Sequence, residues 1–431
     1  MKLIEIKKVH FVGIGGIGMS GLARLFHSEK KAVSGSDRSP SDITRTLQSE
    51  GVQIFEGHNS ENVFPGTDLV VYTEAVHEKT EGYVELVRAR ELGIPTINYF
   101  EALGMVANEY YLIAVAGSHG KTTTTAMVID IFEEAGLDPS AIVGSLRAKT
   151  KSNYRAGKSK YFIVEACEYK RDFLALTPDV LIITNIEYEH VDYYKNLGDV
   201  QDAFRTFAAQ VREGGVVIMN FGGENMAPIL EGLRVSIIDY GKYIDPLLTL
   251  KVPGMHNALN AGAARAAAEF VGVTPDVSKK ALKDFSGTWR RFEYKGEVLG
   301  ARVYDDYGHH PTEIKATLQG ARERHPDKKI ILVFQSHTYS RTHELFDDFV
   351  SVLASADRVI VLPIYAAREE NMYGVTHTQM VEAISKMNPE ARACETFDEA
   401  VEVVREYADN DSVVIVMGAG DVTQVATKLV S

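Results

Sequence analysis

The sequence has few cysteines: only Cys167 and Cys394 occur in 431 residues. Two cysteines cannot build the set of disulfide bonds that stabilises small secreted proteins, so we expect a protein of a reducing compartment. The chain also lacks an excess of positive charge, because its formal net charge is −13 and its pI is near 5.5. Nucleic-acid-binding proteins carry a basic surface, so we expect no nucleic acid among the partners.

Long hydrophobic segments are missing as well. No stretch approaches the roughly 18 consecutive apolar residues of a membrane-spanning helix. The opening residues MKLIEIKKVHFVGIGG contain too short an apolar segment for a signal peptide. We therefore expect a cytoplasmic protein without membrane insertion, and the sequence makes no prediction of its oligomeric state.

The chain does contain an alternation of short β-branched segments with helical patterns. This alternation is typical of βαβ units around parallel sheets. It predicts an α/β protein with three successive domains, at residues 1–107, 108–288 and 289–431. The expected strands are VHFVG, KAVSGS, QIFEG, DLVVYT and PTIN in the first domain, YYLIAVAG, YFIVEAC, DVLIITNI and GGVVIMN in the second, and ARVYDDY, KIILVFQ, RVIVLP and SVVIVMG in the third.

A first glycine loop lies near the N-terminus. The motif Gly13-x-Gly15-x-x-Gly18 follows a predicted strand and precedes a predicted helix, and Asp37 stands at the end of the next strand. This is the pattern of a dinucleotide-binding turn, in which the backbone approaches a diphosphate at a helix N-terminus. The motif predicts a ligand with a diphosphate: NAD is the usual one, but any nucleoside diphosphate satisfies the same physics. A glycine turn without a ligand is the alternative.

A second glycine loop begins more than a hundred residues later, at Gly117-Ser-His-Gly-Lys121-Thr122. A strict Walker A motif has glycine six residues before the lysine, where this chain has Val115. The shorter segment keeps the parts that bind a nucleoside triphosphate: backbone amides and Lys121 for the β- and γ-phosphates, and the Thr122 hydroxyl for Mg²⁺.

Two acidic segments follow strands of the same domain and offer further ligands for a magnesium ion. One runs from Glu165 to Glu168, and the other, TNIEYEHVD, contains Glu187, Glu189 and His190. Magnesium prefers carboxylate oxygens and water, and an isolated histidine is more often structural. Near a phosphate loop a metal role for His190 becomes the better interpretation, because parallel sheets bind ligands at strand ends.

The segments GSHGKTTTT, TNIEYEHVDYY, GMHNALNAGAA, RRFE, YDDYGHHPTEI, FQSHTYSRTHELFDDF and GAGDV resemble, in order and spacing, those of the Mur ligase family. The resemblance covers essentially the whole chain. It implies a Rossmann-like domain for a UDP-sugar, a central P-loop ATPase domain and a C-terminal Rossmann-like domain for an amino acid. The two glycine loops would then serve a UDP-sugar and ATP, and neither would serve NAD.

The resemblance also implies roles for individual residues. The uridine nucleotide is expected to contact Gly15, Gly16, Gly18, Ser20 and Asp37. ATP is expected to contact Gly117, Ser118, His119, Gly120, Lys121, Thr122, Thr123, His256, Asn257, Arg291 and Asp306. The expected Mg²⁺ ligands are Thr122, Glu165 and His190. The incoming amino acid and the carboxylate of the sugar are expected at Tyr307, His309, His337 and Arg341. The residues expected to act in catalysis are Lys121, Glu165, His190, Arg291, His309 and Arg341.

The activity that the resemblance implies is ATP-dependent joining of L-alanine to UDP-N-acetylmuramate through an acyl phosphate, in peptidoglycan precursor synthesis. His309 or His337 would take the proton of the amine. A ligase for a preformed peptide or another small amino acid is the alternative within the family. From other classes, an NAD-dependent dehydrogenase would leave the second loop without a role, and the ATP-site residues argue against a sensor without catalytic activity.

Three residues depart from the pattern of the alanine-adding members. Thr338 stands where those members have arginine, Cys167 replaces an acidic residue, and Arg368 replaces a small one. The lysine that is carbamylated in other members has no counterpart here. Because Thr338 removes one cation near the expected carboxylates, we expect Arg368 to supply the second contact.

Overall fold

The computed structural model describes residues 3–190, 193–367 and 369–431. Within this part of the chain the strands form three sheets, which follow one another along the sequence. The first sheet has the strand order β3-β2-β1-β4-β5 and is parallel throughout. Its strands are β1 (Lys8–Val12), β2 (Ala32–Asp37), β3 (Gln53–Glu56), β4 (Leu69–Tyr72) and β5 (Thr96–Asn98). Its helices are α1 (Ile17–Ser28), α2 (Asp42–Ser49), α3 (Tyr83–Glu91) and α4 (Tyr99–Ala107), with 3₁₀ turns at Leu3–Glu5 and Ser60–Asn62.

The second sheet has the order β12-β11-β10-β6-β9-β7-β8 and is parallel except for the β7–β8 pair. Its strands are β6 (Tyr111–Ala116), β7 (Ser140–Ile142), β8 (Tyr154–Arg155), β9 (Tyr161–Glu165), β10 (Val180–Ile183), β11 (Val216–Met219) and β12 (Ser236–Asp239). Its helices are α5 (Lys121–Glu134), α6 (Leu197–Ala209), α7 (Met255–Phe270) and α8 (Pro275–Asp284), and 3₁₀ turns occupy Tyr169–Ala175, Ala227–Leu230 and Tyr240–Tyr243. Strands β10 and β11 are buried at every position, as expected of parallel strands covered on both faces.

The third sheet has the order β13-β14-β18-β15-β16-β17, with β13 antiparallel to β14 and the other neighbours parallel. Its strands are β13 (Glu293–Val298), β14 (Ala301–Asp306), β15 (Lys329–His337), β16 (Arg358–Tyr365), β17 (Ala391–Ala393) and β18 (Ser412–Met417). Its helices are α9 (Pro311–Arg324), α10 (Tyr339–Glu344), α11 (Phe346–Leu353), α12 (His377–Ser385), α13 (Phe397–Tyr407) and α14 (Thr423–Val430).

All thirteen strands expected from the sequence are present, and the described part of the chain has five more: β7, β8, β12, β13 and β17. The chain divides into two compact units, Met1–Asp245 with Asn260–Leu282 and Pro246–Leu259 with Lys283–Ser431. The first unit contains the first two sheets, whose apolar side chains share one buried cluster that includes Phe11, Phe26, Phe162 and Phe204. The second unit contains the third sheet. The domain boundaries at 107/108 and 288/289 stay predictions.

Among the described residues, no helix combines the length and the apolar character needed to cross a membrane.

Candidate active site

The first glycine loop connects β1 to α1 at the carboxyl end of the first sheet. The backbone N–H groups of Gly13 and Ile14 donate to the carbonyl oxygen of Ser36, at 2.9 and 3.0 Å. The N–H of Gly15 donates to Oδ2 of Asp37 at 2.8 Å. A Cβ at Gly15 would lie only 2.8 Å from the same oxygen, so a larger residue would displace the Asp37 carboxylate. The loop thus brings Gly15 and Asp37 together at the start of a helix. The helix N-terminus favours an anionic ligand, although Asp37 already accepts one N–H group of the loop.

The other residues predicted for this site lie along the first turns of α1. Gly16 directly precedes the helix, and a Cβ at Gly18 would meet the ring of Tyr99 at 2.8 Å. The side chain of Ser20 is buried, with its hydroxyl donating to the carbonyl of Ile17 at 2.9 Å. The contact of these three residues with a nucleotide stays a prediction.

The second loop connects β6 to α5. Gly117 has a φ of +135°, and a Cβ there would lie 2.0 Å from the hydroxyl oxygen of Thr184. Gly120 has a φ of +81°, and a Cβ there would lie 2.5 Å from Oδ1 of Asn260. Both positions therefore require glycine, because other residues rarely adopt these positive φ values and because a Cβ would overlap a neighbouring side chain. Helix α5 begins immediately afterwards, at Lys121.

The residues after β10 hold the second loop in place. The backbone N–H of Ser118 donates to the carbonyl of Asn185 at 3.1 Å, and that of His119 donates to Oδ1 of Asn185 at 2.9 Å. The hydroxyl of Thr184 donates to the carbonyl of His119 at 2.6 Å. Thr123, also predicted to contact ATP, is buried in the first turn of α5. The loop is therefore fixed by a neighbouring strand end before any substrate contributes.

Lys121 is paired with a buried carboxylate that the site prediction left out. Its ammonium group donates to the carbonyl oxygen of Ser118 at 3.0 Å and to Oε1 of Glu168 at 3.1 Å. The side chain of Glu168 is only 2% exposed. Burial lowers the pKa of Lys121, but the charges of Glu168 and the nearby Glu189 and Glu165 together outweigh burial and leave that pKa above its ordinary value. Burial raises the pKa of Glu168, and Lys121 and His190 more than reverse this and bring it to about 2. Both groups are therefore charged at neutral pH.

The predicted magnesium ligands fall into two adjacent groups. The Thr122 hydroxyl donates to Oε1 of Glu165 at 3.0 Å, which brings the first two together. The third, His190, has its Nε2 3.3 Å from Oε1 of Glu168 and forms a cluster with Glu168 and Glu189 whose ligand atoms lie within 4.8 Å of one another. Hydroxyl, carboxylate and imidazole groups suit a divalent cation, so this donor set fits Mg²⁺. Glu168 and Glu189 stood within the acidic segments of the sequence, but spacing alone did not single them out.

The second unit contains the remaining residues predicted for ATP. The Asn257 amide donates to the carbonyl of Pro253 at 2.7 Å and lies 3.0 Å from Nε2 of His256. Burial and the nearby charge of Arg291 lower the pKa of His256 to about 4. The guanidinium of Arg291 is 3.4 Å from Oε1 of Glu313. His256 is therefore neutral at pH 7, and the contacts of these residues with ATP stay predictions.

Asp306, at the end of β14, joins two segments of the second unit. Its carboxylate accepts hydrogen bonds from the backbone N–H of Phe292 at 2.9 Å and from that of Gly308 at 2.7 Å. Burial raises the pKa of Asp306 to about 6 against the opposing effect of Arg291. The side chain thus fastens the RRFE segment to the YGHH segment, and its proposed contact with ATP is not tested by this geometry.

The four residues predicted for the amino acid and the sugar carboxylate lie together. The ring centres of Tyr307 and His309 are 5.5 Å apart, and those of His309 and His337 are 5.7 Å apart. The guanidinium of Arg341 donates to the carbonyl of His337 at 2.7 Å. Burial lowers the pKa of His309 to about 3, and burial together with Arg341 lowers that of His337. This cluster therefore combines one fixed cation with two neutral imidazoles.

A carboxylate stands at the position of the missing arginine. The Thr338 hydroxyl donates to Oε1 of Glu369 at 2.7 Å, and the backbone N–H of Ser340 donates to Oε2 at 2.8 Å. Glu369 could not be identified from the sequence, because no spacing rule links it to Thr338, 31 positions earlier. Arg368, expected to supply the second cation, lies outside the described residues.

Sequence profiles of known families match the chain in three consecutive segments. The profile described as "Mur ligase family, catalytic domain" matches residues 8–111, "Mur ligase middle domain" matches 115–245, and "Mur ligase, glutamate ligase domain" matches 290–420. Among characterised sequences, the UDP-N-acetylmuramate–L-alanine ligase of Agathobacter rectalis is 40% identical, over 98% of this chain and 97% of its own. The enzyme of the same name from Clostridium novyi is also 40% identical, over 97% and 96%.

Solved structures agree with these matches. The crystal structure of UDP-N-acetylmuramate–alanine ligase from Thermotoga maritima has a TM-score of 0.82 and 29% identity, and each chain covers 98% of the other. A murein peptide ligase from Psychrobacter arcticus has a TM-score of 0.70 at 23% identity, again over 98% of each chain, which shows a common fold. The three-domain α/β architecture predicted from the sequence is confirmed, with Rossmann-like parallel sheets in the first and last domains and a central ATP-binding domain.

Proposed function

The chain belongs to the Mur ligase family, and from this we propose that it joins L-alanine to UDP-N-acetylmuramate in peptidoglycan precursor synthesis, with cleavage of ATP to ADP and phosphate. It is an ATP-dependent carbon–nitrogen ligase. The observation that carries the proposal is identity of 40% with alanine ligases over nearly the whole chain, joined to the intact Lys121 loop. A cytoplasmic location follows from the same proposal, since both nucleotide substrates are cytoplasmic metabolites.

In the first chemical step a carboxylate oxygen of the sugar nucleotide attacks the γ-phosphorus of ATP, and the bond to the β–γ bridging oxygen breaks. ADP leaves and an acyl phosphate forms. Such a transfer requires positioning and neutralisation of charge more than covalent chemistry by the protein. Lys121, with its raised pKa, stays protonated and supplies a positive charge at the second loop.

The Thr122 hydroxyl and the Glu165 carboxylate, 3.0 Å apart, would hold a magnesium ion, with His190 as a further ligand. Bound there, Mg²⁺ would neutralise phosphate charge during the transfer. Burial and the neighbouring Glu168 raise the pKa of Cys167 to about 12, so its thiol is neutral at pH 7 and does not carry the negative charge of the acidic residue that it replaces.

In the second step the amine of L-alanine attacks the acyl carbon, the tetrahedral intermediate loses phosphate, and a proton leaves the nitrogen. Arg341 would bind a substrate carboxylate, because a guanidinium pairs with it in a planar geometry. His309 or His337 is the proposed proton acceptor, since each imidazole is neutral at pH 7 and retains a lone pair; the pKa of about 3 makes the imidazole of His309 a weak base.

Thr338 keeps one alternative open, namely a different small amino acid such as glycine or L-serine. The test is phosphate release from ATP, measured with UDP-N-acetylmuramate and each of the three amino acids. We expect release only when the sugar nucleotide and an amino acid are both present, with L-alanine the best substrate. The Lys121→Met variant is the control for contaminating ATPases. Release that is independent of the sugar nucleotide, or hydride transfer with NAD, would contradict the proposal.

A further inference from the structure

A buried carboxylate lies inside the first domain, away from the second glycine loop. The side chain of Glu85, in α3, is 0% exposed. Its Oε2 is 2.8 Å from Nε2 of His10 and accepts a hydrogen bond from the hydroxyl of Ser36 at 2.8 Å. Its Oε1 is 3.1 Å from Nδ1 of His58 and accepts from the amide of Asn62 at 3.1 Å. One carboxylate thus connects α3 with β1, β2 and the segment after β3.

Such a group is not explained by stability alone. Burial raises the pKa of Glu85, but the hydrogen bonds from His10 and His58 more than reverse this and bring it to about 2. The carboxylate is therefore ionised inside the domain. Ionic groups in protein interiors are often no more stabilising than apolar side chains of the same volume, so a role in fixing geometry is the better explanation.

The geometry that Glu85 fixes belongs to the first glycine loop. Ser36 donates its hydroxyl to Glu85, while its carbonyl oxygen accepts the N–H groups of Gly13 and Ile14. The next residue, Asp37, accepts the N–H of Gly15. The Glu85 carboxylate is therefore linked through a single residue, Ser36, to the turn that would hold the diphosphate.

His58 is oriented by the same carboxylate and contacts Ser36, whose carbonyl oxygen holds the turn. Its side chain is 8% exposed, and its Nδ1 is within hydrogen-bond distance of both Ser36 Oγ, at 3.0 Å, and Glu85 Oε1. The Nδ1 proton therefore points at Glu85, and the second ring nitrogen is left for another contact. Glu85, Asp37 and Glu81 all raise the pKa of His58, against the effect of burial, and so favour the imidazolium form, which donates from both nitrogens.

We propose that Glu85 is a positioning residue of the sugar-nucleotide site, which holds His58 so that its Nε2–H donates to an oxygen of the nucleoside diphosphate. The inference rests on the proposed function, because it takes the first domain as the UDP-sugar domain. It adds two residues, Glu85 and His58, that the glycine-loop motif does not contain. The ligand chemistry is an anionic diphosphate oxygen, recognised by a charge-assisted hydrogen bond.

The test is calorimetric binding of UDP and of uridine to the Glu85→Gln and His58→Gln variants. The matched controls are Glu91→Gln, which removes an exposed carboxylate of the same helix, and His77→Gln, which removes a histidine outside the Glu85 network. We expect both test variants to bind UDP about ten- to a hundredfold more weakly, the loss typical of a hydrogen bond to a charged group. Uridine binding should stay within about threefold in all four variants, because the contact is made by the diphosphate.

The pH dependence separates positioning from simple loss of structure. In the wild type, UDP binding should weaken as the pH rises through the pKa of His58, because the imidazolium then loses its proton. The groups that face His58 and set this pKa are Glu85 from α3, Asp37 from β2 and Glu81 from the segment before α3, with His10 from β1 bonded to the same carboxylate. In Glu85→Gln the pKa of His58, followed by NMR, should fall and the pH dependence of UDP binding should move to lower pH.

Unchanged UDP affinity in His58→Gln would overturn the proposal, even if Glu85→Gln failed to fold. Equal weakening of UDP and uridine would overturn the diphosphate contact. Failure of the wild type to bind UDP would refute this inference and the UDP-sugar domain together. Normal UDP binding without phosphate release from ATP would refute the proposed function alone.

Discussion

The pair formed by Lys121 and Glu168 yields a quantitative prediction for Glu168→Gln. The substitution keeps the volume of the side chain and removes its negative charge. Lys121 would then be a cation whose side chain is 15% exposed, without its partner at 3.0 Å. Breaking a buried ion pair by removal of one member costs about 3–5 kcal/mol. Because the carbonyls of Gly117 and Ser118 still accept from the ammonium group, we expect the lower end, about 3 kcal/mol.

For a domain of this size, 1 kcal/mol corresponds to a change of about 2–4 °C in melting temperature, so Glu168→Gln should lower it by about 6–12 °C. The assay is thermal unfolding by calorimetry, with the melting temperature taken from the transition of the first unit, which contains Lys121 and Glu168. Glu109→Gln is the matched control, since Glu109 is an exposed carboxylate of the first unit. The double variant Lys121→Met with Glu168→Gln should recover most of the loss, because neither charge is then left unpaired.

Addition of ATP provides a second measurement on the same variant. Triphosphate charge can take the place of Glu168 beside Lys121, so ATP should raise the melting temperature of Glu168→Gln by more than that of the wild type. Two results would refute the reasoning. One is a melting temperature within about 2 °C of the wild type, and the other is a double variant as unstable as the single one.

Four further predictions concern single residues of the two units. Lys121→Ala should abolish phosphate release but leave the binding of UDP-N-acetylmuramate, measured by calorimetry, unchanged, because the first loop is held by other residues. Loss of both phosphate release and UDP-N-acetylmuramate binding would contradict this prediction. Glu165→Ala should raise the Mg²⁺ concentration for half-maximal activity at least about tenfold, and an unchanged requirement would count against its role. Thr338→Arg should alter the KM for L-alanine by less than about threefold, because Glu369 would neutralise the new arginine. The double variant Thr338→Arg with Glu369→Ala should lower that KM about tenfold. Equal effects of the single and the double variant would exclude the pairing with Glu369. The pKa of His309 is about 3 in the folded protein, against an ordinary value of 6.5, so between these pH values the unfolded state binds more protons and stability falls as the pH falls. His309→Asn should therefore make the melting temperature less dependent on pH in this range. A pH dependence parallel to that of the wild type would refute the prediction.

The strands and both glycine loops could be predicted because their causes are local. Strands such as β10 and β18 are continuous apolar segments, and a sheet covered on both faces selects such segments. The second loop was recognisable because Gly117 and Gly120 occupy backbone conformations that other residues rarely adopt. In these cases the residue type follows from conformation at the same place in the chain.

The strands that escaped prediction have causes elsewhere in the chain. Strand β8 has only two residues, and its place is set by contacts of the preceding Asn153, whose amide donates to the Ser20 hydroxyl 133 positions away at 3.2 Å. Strand β13 includes Gly296 and a shift in register, so it lacks the alternation that marks a strand. The local sequence of β8 and of β13 does not contain the tertiary contacts that place these strands, so neither strand could be predicted.

The same distinction separates the parts of the site that could and could not be predicted. Residue types at the loops indicated phosphate and metal chemistry, but the pairings of Lys121 with Glu168 and of Thr338 with Glu369 depend on which strand ends become neighbours. Strand order is fixed by the whole sheet: β9, which precedes Glu168, lies directly beside β6, which precedes Lys121. Sequence spacing alone does not predict that β6 and β9 are neighbours in the sheet.

In both glycine loops a hydrogen-bond donor is paired with a carboxylate from the next strand of the sheet. In the first loop Asp37, at the end of β2, accepts the N–H of Gly15. In the second, Glu168, just after β9, accepts from Lys121. A donor held in this way loses little conformational freedom when a phosphate arrives, but the carboxylate also repels the phosphate charge. A nearby cation reduces that repulsion. His58, whose pKa is raised mainly by Glu85 and to a smaller extent by Asp37, would serve the first loop, and a magnesium ion held by Glu165 and Thr122 would serve the second. This common arrangement explains why each loop is accompanied by a group that becomes or binds a cation, and why removing that group should weaken one nucleotide without affecting the other.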